Sequence, residues 1–170
     1  MSLPQISLLY PIWIVIDNGH PSDKQVSQKI VDYLTTKFPP AYAIRKQVSS
    51  GQEPDPIDLW FCGIIAVGSV LAQPWLIRFN VLMDPRIEEN DGSVDFVAPI
   101  ATPLKLVKKE PLYKFAYTEL ERACLITSIA NGFPPTFQVA GFSAEDTVEA
   151  GDLFCKGETS GIWVNGKKVA

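Results

Sequence analysis

The sequence contains little of the side-chain chemistry on which most enzymes and metal sites depend. It has one histidine, His20, and three cysteines in 170 residues. A structural zinc site needs clustered cysteine and histidine side chains, and a catalytic dyad or triad needs a partner that this sequence does not place. The stretch GIIAVGS also lacks the Lys-Ser/Thr ending of a phosphate-binding loop. We therefore predict no catalytic residue, no metal and no cofactor, and a protein that is not an enzyme.

The three cysteines, Cys62, Cys124 and Cys155, are odd in number and far apart. Small secreted domains usually depend on an even number of paired cysteines. The sequence also has no Asn-x-Ser/Thr acceptor, and its first cation is Lys24, whereas a signal peptide begins with positive charge. These absences predict a protein that is not secreted and folds in a reducing, intracellular setting.

A hydrophobic run long enough to cross a membrane is also missing. The stretch between Asp58 and Arg78 has 19 residues without a charge, and a span takes roughly 20 apolar residues. Gly63 dilutes this stretch, and Pro74 would break a helix late in it. We predict that residues 59–77 are buried core, as helix or as strand, and that the chain has no transmembrane span.

Charge of either sign is not in large excess. The formal net charge is -4 and the pI is about 5.0, so no strong overall field draws the protein toward nucleic acid or anionic lipid. The composition is that of an ordinary globular protein, with 46% hydrophobic and 20% charged residues. A chain of this length can bury a sizeable core, and we predict a single domain over residues 1–170.

The first third of the chain shows clear local patterns. PIWIVID, residues 11–17, is a short β-branched run that predicts a buried strand. Ser22 and Gln25 have the spacing of a capping box and predict the start of a helix, which Pro39 ends. AYAIRKQV then predicts a strand that exposes Arg45.

The remainder predicts further strands and one more main helix. PLKLVKKEPLYKFAYT predicts two strands, and the capping box of Thr118 and Glu121 predicts a helix that continues to Ile129. TFQVAGF predicts a strand, SAEDTVEAG a short turn of helix, and DLFCKGETSGIWVNGKKVA a hairpin that turns near residues 157–161. Because strands and helices mix without a βαβ rhythm, the predicted class is α+β, a single compact domain with a mostly antiparallel sheet and two main helices.

Basic residues cluster in the second half of the chain. The predicted basic patch consists of Lys105, Lys108, Lys109, Lys114, Lys167 and Lys168. Such a patch binds an anionic membrane surface, at about 1 kcal/mol per lysine, or nucleic-acid phosphate. The alternative interpretation is a solvated strand edge that lysines protect against aggregation.

One short motif is chemically specific. KFPPAYAI contains Pro39, Pro40 and Tyr42 in the Pro-Pro-x-Tyr spacing that WW domains recognise. The motif predicts a protein-interaction site if it is exposed in polyproline II form. The structural alternative is that Phe38 completes the apolar face of the helix, Pro39 ends the helix and Tyr42 begins a strand in which it is buried.

The order of these patterns resembles that of rhabdovirus matrix proteins. The shared layout is the strand, turn and capped helix of IWIVIDNGHPSDKQVSQKIVDYL, then a core segment, further strands, and the closing LFCKGETSGIWVNG, whose TSGIWV turn is similar to the closing hairpin of that family. The resemblance implies a compact α+β protein that self-associates, condenses the nucleocapsid and binds the inner membrane leaflet. Animal-virus members also carry Pro-Pro-x-Tyr motifs. This chain differs in lacking the long basic N-terminal arm and in being acidic.

The leading hypothesis is therefore a non-enzymatic, viral matrix-like structural protein of the host cytoplasm or the virion. Its predicted partners are further copies of itself, a nucleocapsid, an anionic membrane surface and a WW-domain protein, with no small-molecule substrate. One alternative is a monomeric protein-binding effector or inhibitor module. The other is a small enzyme with a site near Asp17 and His20.

Overall fold

The computed structural model describes residues 8–39, 41–49, 51–68, 75, 86–90, 93–98, 105–109, 122–129, 134–141 and 143–168. The elements within these residues are β1 (Ile12–Asp17), α1 (Pro21–Lys37), β2 (Tyr42–Gln47), α2 (Pro56–Phe61), β3 (Gly63–Val67), β4 (Arg86–Asn90), β5 (Ser93–Ala98), β6 (Lys105–Lys109), β7 (Ala123–Ser128), β8 (Thr136–Gly141), α3 (Ala144–Phe154), β9 (Gly161–Val164) and β10 (Lys167–Lys168).

Seven of these strands form a mixed main sheet in the order β10-β9-β7-β8-β3-β1-β2. β1 is parallel to both β2 and β3, and β3 is parallel to β8. β7 is antiparallel to β8 and to β9, and β9 is antiparallel to β10. β4, β5 and β6 form a second, antiparallel sheet. The chain therefore belongs to the α+β class, as predicted, and its main sheet contains both kinds of pairing.

The first third of the chain is a βαβ unit, so the predicted absence of such a unit is wrong. After Asp17 the chain turns at Gly19, whose φ is +90°, and α1 returns along the sheet. β2 then pairs beside β1 in parallel, with Ile12 opposite Tyr42 and Asp17 opposite Gln47. Parallel neighbours need a crossover connection, and the helix between the two strands supplies it.

Each face of the main sheet carries a cluster of buried hydrophobic residues. On the face that carries α1 and α3, Trp13 packs with Ile30 of α1 and Phe154 of α3. On the opposite face, Ile14 packs in a second cluster against which Leu59 of α2 lies. We call these the α1 face and the α2 face. Burial on both faces explains why β1 is a nearly continuous apolar run rather than an alternating one.

The start of α1 differs from the prediction because Ser22 is not its cap. The N-cap residue is His20, whose side chain makes no capping hydrogen bond, and Pro21 occupies the first turn. Pro21 accounts for the difference, since its fixed φ and missing N–H suit the first helical position. The helical spacing of Val26, Ile30 and Leu34 predicts that they share one apolar face, and all three are buried.

The predicted helix from Thr118 to Ile129 is wrong in its described part, because Ala123–Ser128 form β7. All six residues are buried, and β7 pairs with β8 on one side and β9 on the other. A strand buried on both faces shows no alternation, so periodicity does not distinguish it from a buried helix. Thr118 and Glu121, which suggested the cap, lie outside the described residues.

The chain end also differs from the prediction. Ser143 caps α3, and the helix continues to Phe154 rather than stopping after one turn. The closing hairpin joins β9 and β10 through Asn165 and Gly166, which have φ angles of 50° and 80°. Positive φ at both central residues is the geometry that Asn-Gly favours in two-residue hairpins. The predicted turn near residues 157–161 is therefore wrong.

Candidate functional site

Several large hydrophobic side chains are exposed rather than buried. They are Leu9, Ile12, Tyr42, Ile57, Trp60 and Phe61. The predicted burial of residues 59–77 is wrong at Trp60 and Phe61, which are 75% and 67% exposed. Only Leu59 of these three consecutive residues packs against the core.

Ile12 and Tyr42 lie on the α2 face at one end of β1 and β2. They are opposite each other in the β1–β2 register. They alternate along their strands with Ile14 and Ile44, which pack in the core of the α2 face. Because side chains two residues apart in a strand point to the same face, all four share it.

α2 lies on the same side of the sheet through Leu59 and carries three more exposed apolar side chains. Asp55 caps the helix by accepting a hydrogen bond from the Ile57 N–H at 2.9 Å. Ile57, Trp60 and Phe61 have the i, i+3, i+4 spacing that places side chains on one side of a helix. The Tyr10 hydroxyl donates to the Phe61 carbonyl at 2.8 Å, so the end of α2 is held to the segment that precedes β1.

We call Ile12, Tyr42, Ile57, Trp60 and Phe61 the apolar patch. Sequence reasoning selected only Tyr42 from it. The signal that could have identified the rest is DPIDLWF, in which Asp55 and Pro56 start a helix too short to bury all of its large side chains.

β2 is the last strand of the main sheet on this side, among the strands described. Its Arg45 is not exposed as predicted, since it makes a two-pronged contact with the fully buried Asp17. The hydrogen bond from Arg45 to Asp17 raises the pKa of the guanidinium. The positive charge of Arg45 is therefore balanced by the Asp17 carboxylate of the same molecule.

The second cation of β2 is also engaged. Lys46 Nζ lies 2.6 Å from Asp58 Oδ2, and this hydrogen bond raises the pKa of Lys46. Because Asp58 belongs to α2, the pair joins β2 to the helix that carries the apolar patch.

The Pro-Pro-x-Tyr motif is divided between a turn and a strand. Tyr42 is 58% exposed, so the predicted burial in the structural alternative is wrong. The Ala41 N–H donates to the Phe38 carbonyl at 2.8 Å, and the Tyr42 N–H donates to the Pro11 carbonyl at 2.8 Å. Pro40 lies outside the described residues. The tyrosine is accessible, but the backbone that leads to it is hydrogen bonded within the fold.

The lysines of the predicted basic patch fall in two different sheets. Lys105, Lys108 and Lys109 lie on β6, in the three-stranded sheet. Lys114 lies outside the described residues.

Lys167 and Lys168 form β10, at the opposite edge of the main sheet from β2. Both are exposed. Lys168 Nζ lies 3.7 Å from Glu158 Oε2 and 5.3 Å from the centre of the Trp163 ring. Lys167 is therefore the more available of the two for an external anion.

Asp17 and His20, the residues of the alternative enzyme site, each contact other groups within the fold. Asp17 accepts hydrogen bonds from Arg45 and, at 2.8 Å, from the Gly19 N–H. His20 is exposed, and its Nδ1 lies 2.7 Å from Ser22 Oγ. The Asp17 carboxylate thus joins β1 to β2 through Arg45 and to the turn at Gly19.

Two concave regions among the described residues are rich in carboxylates. The first, of about 210 Å³, includes Lys46, Glu53, Asp55 and Asp58. The second, of about 560 Å³, includes Arg122, Glu145, Glu149 and Asp152. Negative charge repels phosphate, so neither region is suited to nucleic acid.

Two features are absent from the described residues. They contain no group of three or more histidine, cysteine or acidic residues that could hold a metal ion. No helix in the same part of the chain is long and apolar enough to cross a membrane.

Comparison with known proteins gives no family assignment. No protein-family model and no curated protein matches this sequence.

Proposed function

We propose that this chain is a non-enzymatic structural protein that works by binding further copies of itself. The observation that carries the proposal is the apolar patch. Apolar side chains exposed together on one surface favour burial against a partner, at about 25 cal/mol per Å² removed from water. Self-association would cover this surface in every copy of the protein.

The specific form of the proposal is a viral matrix-like protein, acting as one domain in the host cytoplasm or the virion. In this role the assembled copies bridge a nucleocapsid and an anionic membrane surface. The resemblance in layout to rhabdovirus matrix proteins supports it, as do the exposed lysines of β10. Liposome flotation with phosphatidylserine vesicles tests the membrane contact, which we expect to weaken in K167A and at high salt.

The apolar patch could instead bind a single different protein, as in a monomeric effector or inhibitor module. Light scattering behind a sizing column, over a range of protein concentration, distinguishes the two functions. We expect the wild type to grow in mass with concentration and W60E to remain smaller. A wild type that stays monomeric at every concentration would favour the monomeric binding module.

T36E is the matched control for W60E. Thr36 is exposed on α1, on the opposite face of the sheet, and its substitution adds the same negative charge. We expect T36E to associate as the wild type does. An equal loss of association in both variants would mean that net charge, rather than the apolar patch, controls assembly.

A further inference from the structure

Among the residues that the structure describes, no strand pairs with the outer edge of β2. The Tyr42 N–H donates to the Pro11 carbonyl and the Val48 N–H donates to the Asp17 carbonyl, both at 2.8 Å. Successive residues of a strand direct their N–H and C=O groups to opposite sides. The groups of Tyr42, Ile44 and Lys46 therefore point to β1, and those of the intervening Ala43 and Arg45 point away from it.

The charges that usually protect such an edge are neutralised. Natural sheets discourage edge-to-edge pairing with charged side chains, above all lysine. β2 carries two cations, but Arg45 is paired with Asp17 and Lys46 with Asp58. The edge is thus six residues of extended chain whose cations are held by acids of the same molecule.

We propose that two copies of the protein join edge to edge through β2, antiparallel, with Ile44 opposite Ile44 of the second copy. This inference rests on the proposed self-association and adds to it a backbone contact through β2, the strand that carries Tyr42 of the apolar patch. The two copies are related by a two-fold axis perpendicular to the sheet. In an antiparallel pair, side chains that lie directly opposite each other are on the same face of the sheet. The symmetric register must therefore be centred on a single residue that lies opposite its own counterpart. The result is one continuous sheet that runs through both molecules.

The side chains favour Ile44 as the centre. Centring on Arg45 would press two Arg45–Asp17 pairs against each other and set Ile44 opposite Lys46 of the second copy. Centring on Ile44 places apolar beside apolar and sets Tyr42 opposite Lys46 of the second copy, where the ring can pack on the lysine stem while the ammonium stays with Asp58. Ala43 and Arg45 then exchange backbone hydrogen bonds with their counterparts. This self-complementarity is why we assign the edge to a second copy rather than to another protein.

Disulfide cross-linking tests the register directly. The variant C62S/I44C lacks the partly exposed native Cys62 and carries one new cysteine in each copy. In the dimer the two new cysteines would form a non-hydrogen-bonded cross-strand pair. Their Cα atoms would lie about 4.5 Å apart, within the range that a disulfide accepts. We expect a disulfide-linked dimer on a non-reducing gel after mild oxidation. C62S/Q47C is the control, because Gln47 of the two copies would lie far apart along the strands. We expect no cross-link there.

A second pair of variants does not depend on cysteine chemistry. I44K places two lysines opposite each other at the centre and should raise the dimer Kd by about tenfold or more. T36K puts the same charge at an exposed position of α1, away from the edge and from the apolar patch, and should leave the dimer Kd unchanged. Circular dichroism and urea unfolding establish that both variants are folded.

The outcomes separate this inference from the proposed function. If the wild type associates while I44C gives no cross-link and I44K no loss, edge pairing is wrong and self-association through another contact stands. If the wild type is monomeric at all concentrations, both proposals fail and the β2 edge is left for a strand of another protein.

Discussion

Arg45 Nε lies 2.6 Å from one carboxylate oxygen of Asp17, and Arg45 Nη2 lies 2.8 Å from the other. Asp17 is fully buried at the end of β1. Arg45, on β2, is largely covered as well, with 21% of its side chain exposed. The pair joins the two parallel strands of the βαβ unit and removes a cation from the edge of the sheet.

R45A is expected to lower the free energy of unfolding by about 3 kcal/mol, because it leaves the buried Asp17 carboxylate without its cation. Urea unfolding followed by circular dichroism measures the loss. The double variant D17N/R45A should recover part of it, since the amide carries no charge. A double variant no more stable than R45A would show that the loss comes from the packing of the Arg45 stem instead.

Asp23 is expected to make stability depend on pH. Burial raises the pKa of the Asp23 carboxyl above its ordinary value of 3.8, against a smaller lowering by His20. The folded state therefore holds its proton more tightly than the unfolded state does. The stability from this group is fully present below pH 3.8 and is lost as the pH rises through the higher folded pKa.

D23N removes this dependence. We expect D23N to gain stability relative to the wild type between about pH 4 and pH 7, measured by urea unfolding at both values. D32N, at an exposed position of the same helix, is the control and should change the pH profile little. If the free energy of unfolding of the wild type instead rose above that of D23N as the pH increases, the raised pKa of Asp23 would be contradicted.

The native cysteines are expected to be slow to react. Burial raises the pKa of Cys124 to about 12 and that of Cys155 to about 11, and the reactive form is the thiolate. All three cysteines are free. An Ellman titration should therefore give a slow reaction in the folded protein and three thiols in denaturant. Fast labelling of Cys124 in the folded protein would be inconsistent with its burial.

The Pro-Pro-x-Tyr motif is expected to fail as a WW-domain ligand in the folded protein. Tyr42 is exposed, but its N–H is bonded to Pro11 and the preceding Ala41 N–H to Phe38. Polyproline II recognition needs this segment in an extended, solvated form. In a WW-domain pull-down, Y42A should be retained as poorly as the wild type. Retention that requires Tyr42 would restore the docking hypothesis.

Local patterns were sufficient where a segment has one simple environment. The β-branched run of β1, the apolar face of α1 and the α+β class could be predicted, because residue spacing reports which side of a helix or strand is buried. These features depend on neighbours in the chain.

The remaining features depend on neighbours in space. β7 was predicted as a helix because a strand covered on both faces loses its alternation, and only its pairing with β8 and β9 makes it a strand. The contact between Asp17 and Arg45 follows from the parallel register of β1 and β2. Trp60 and Phe61 belong to an apolar run in the sequence, yet the short α2 buries Leu59 and leaves both of them on the surface. A run of hydrophobic residues indicates that some of its side chains are buried. Which of those side chains are buried is decided by how the segment packs on the sheet.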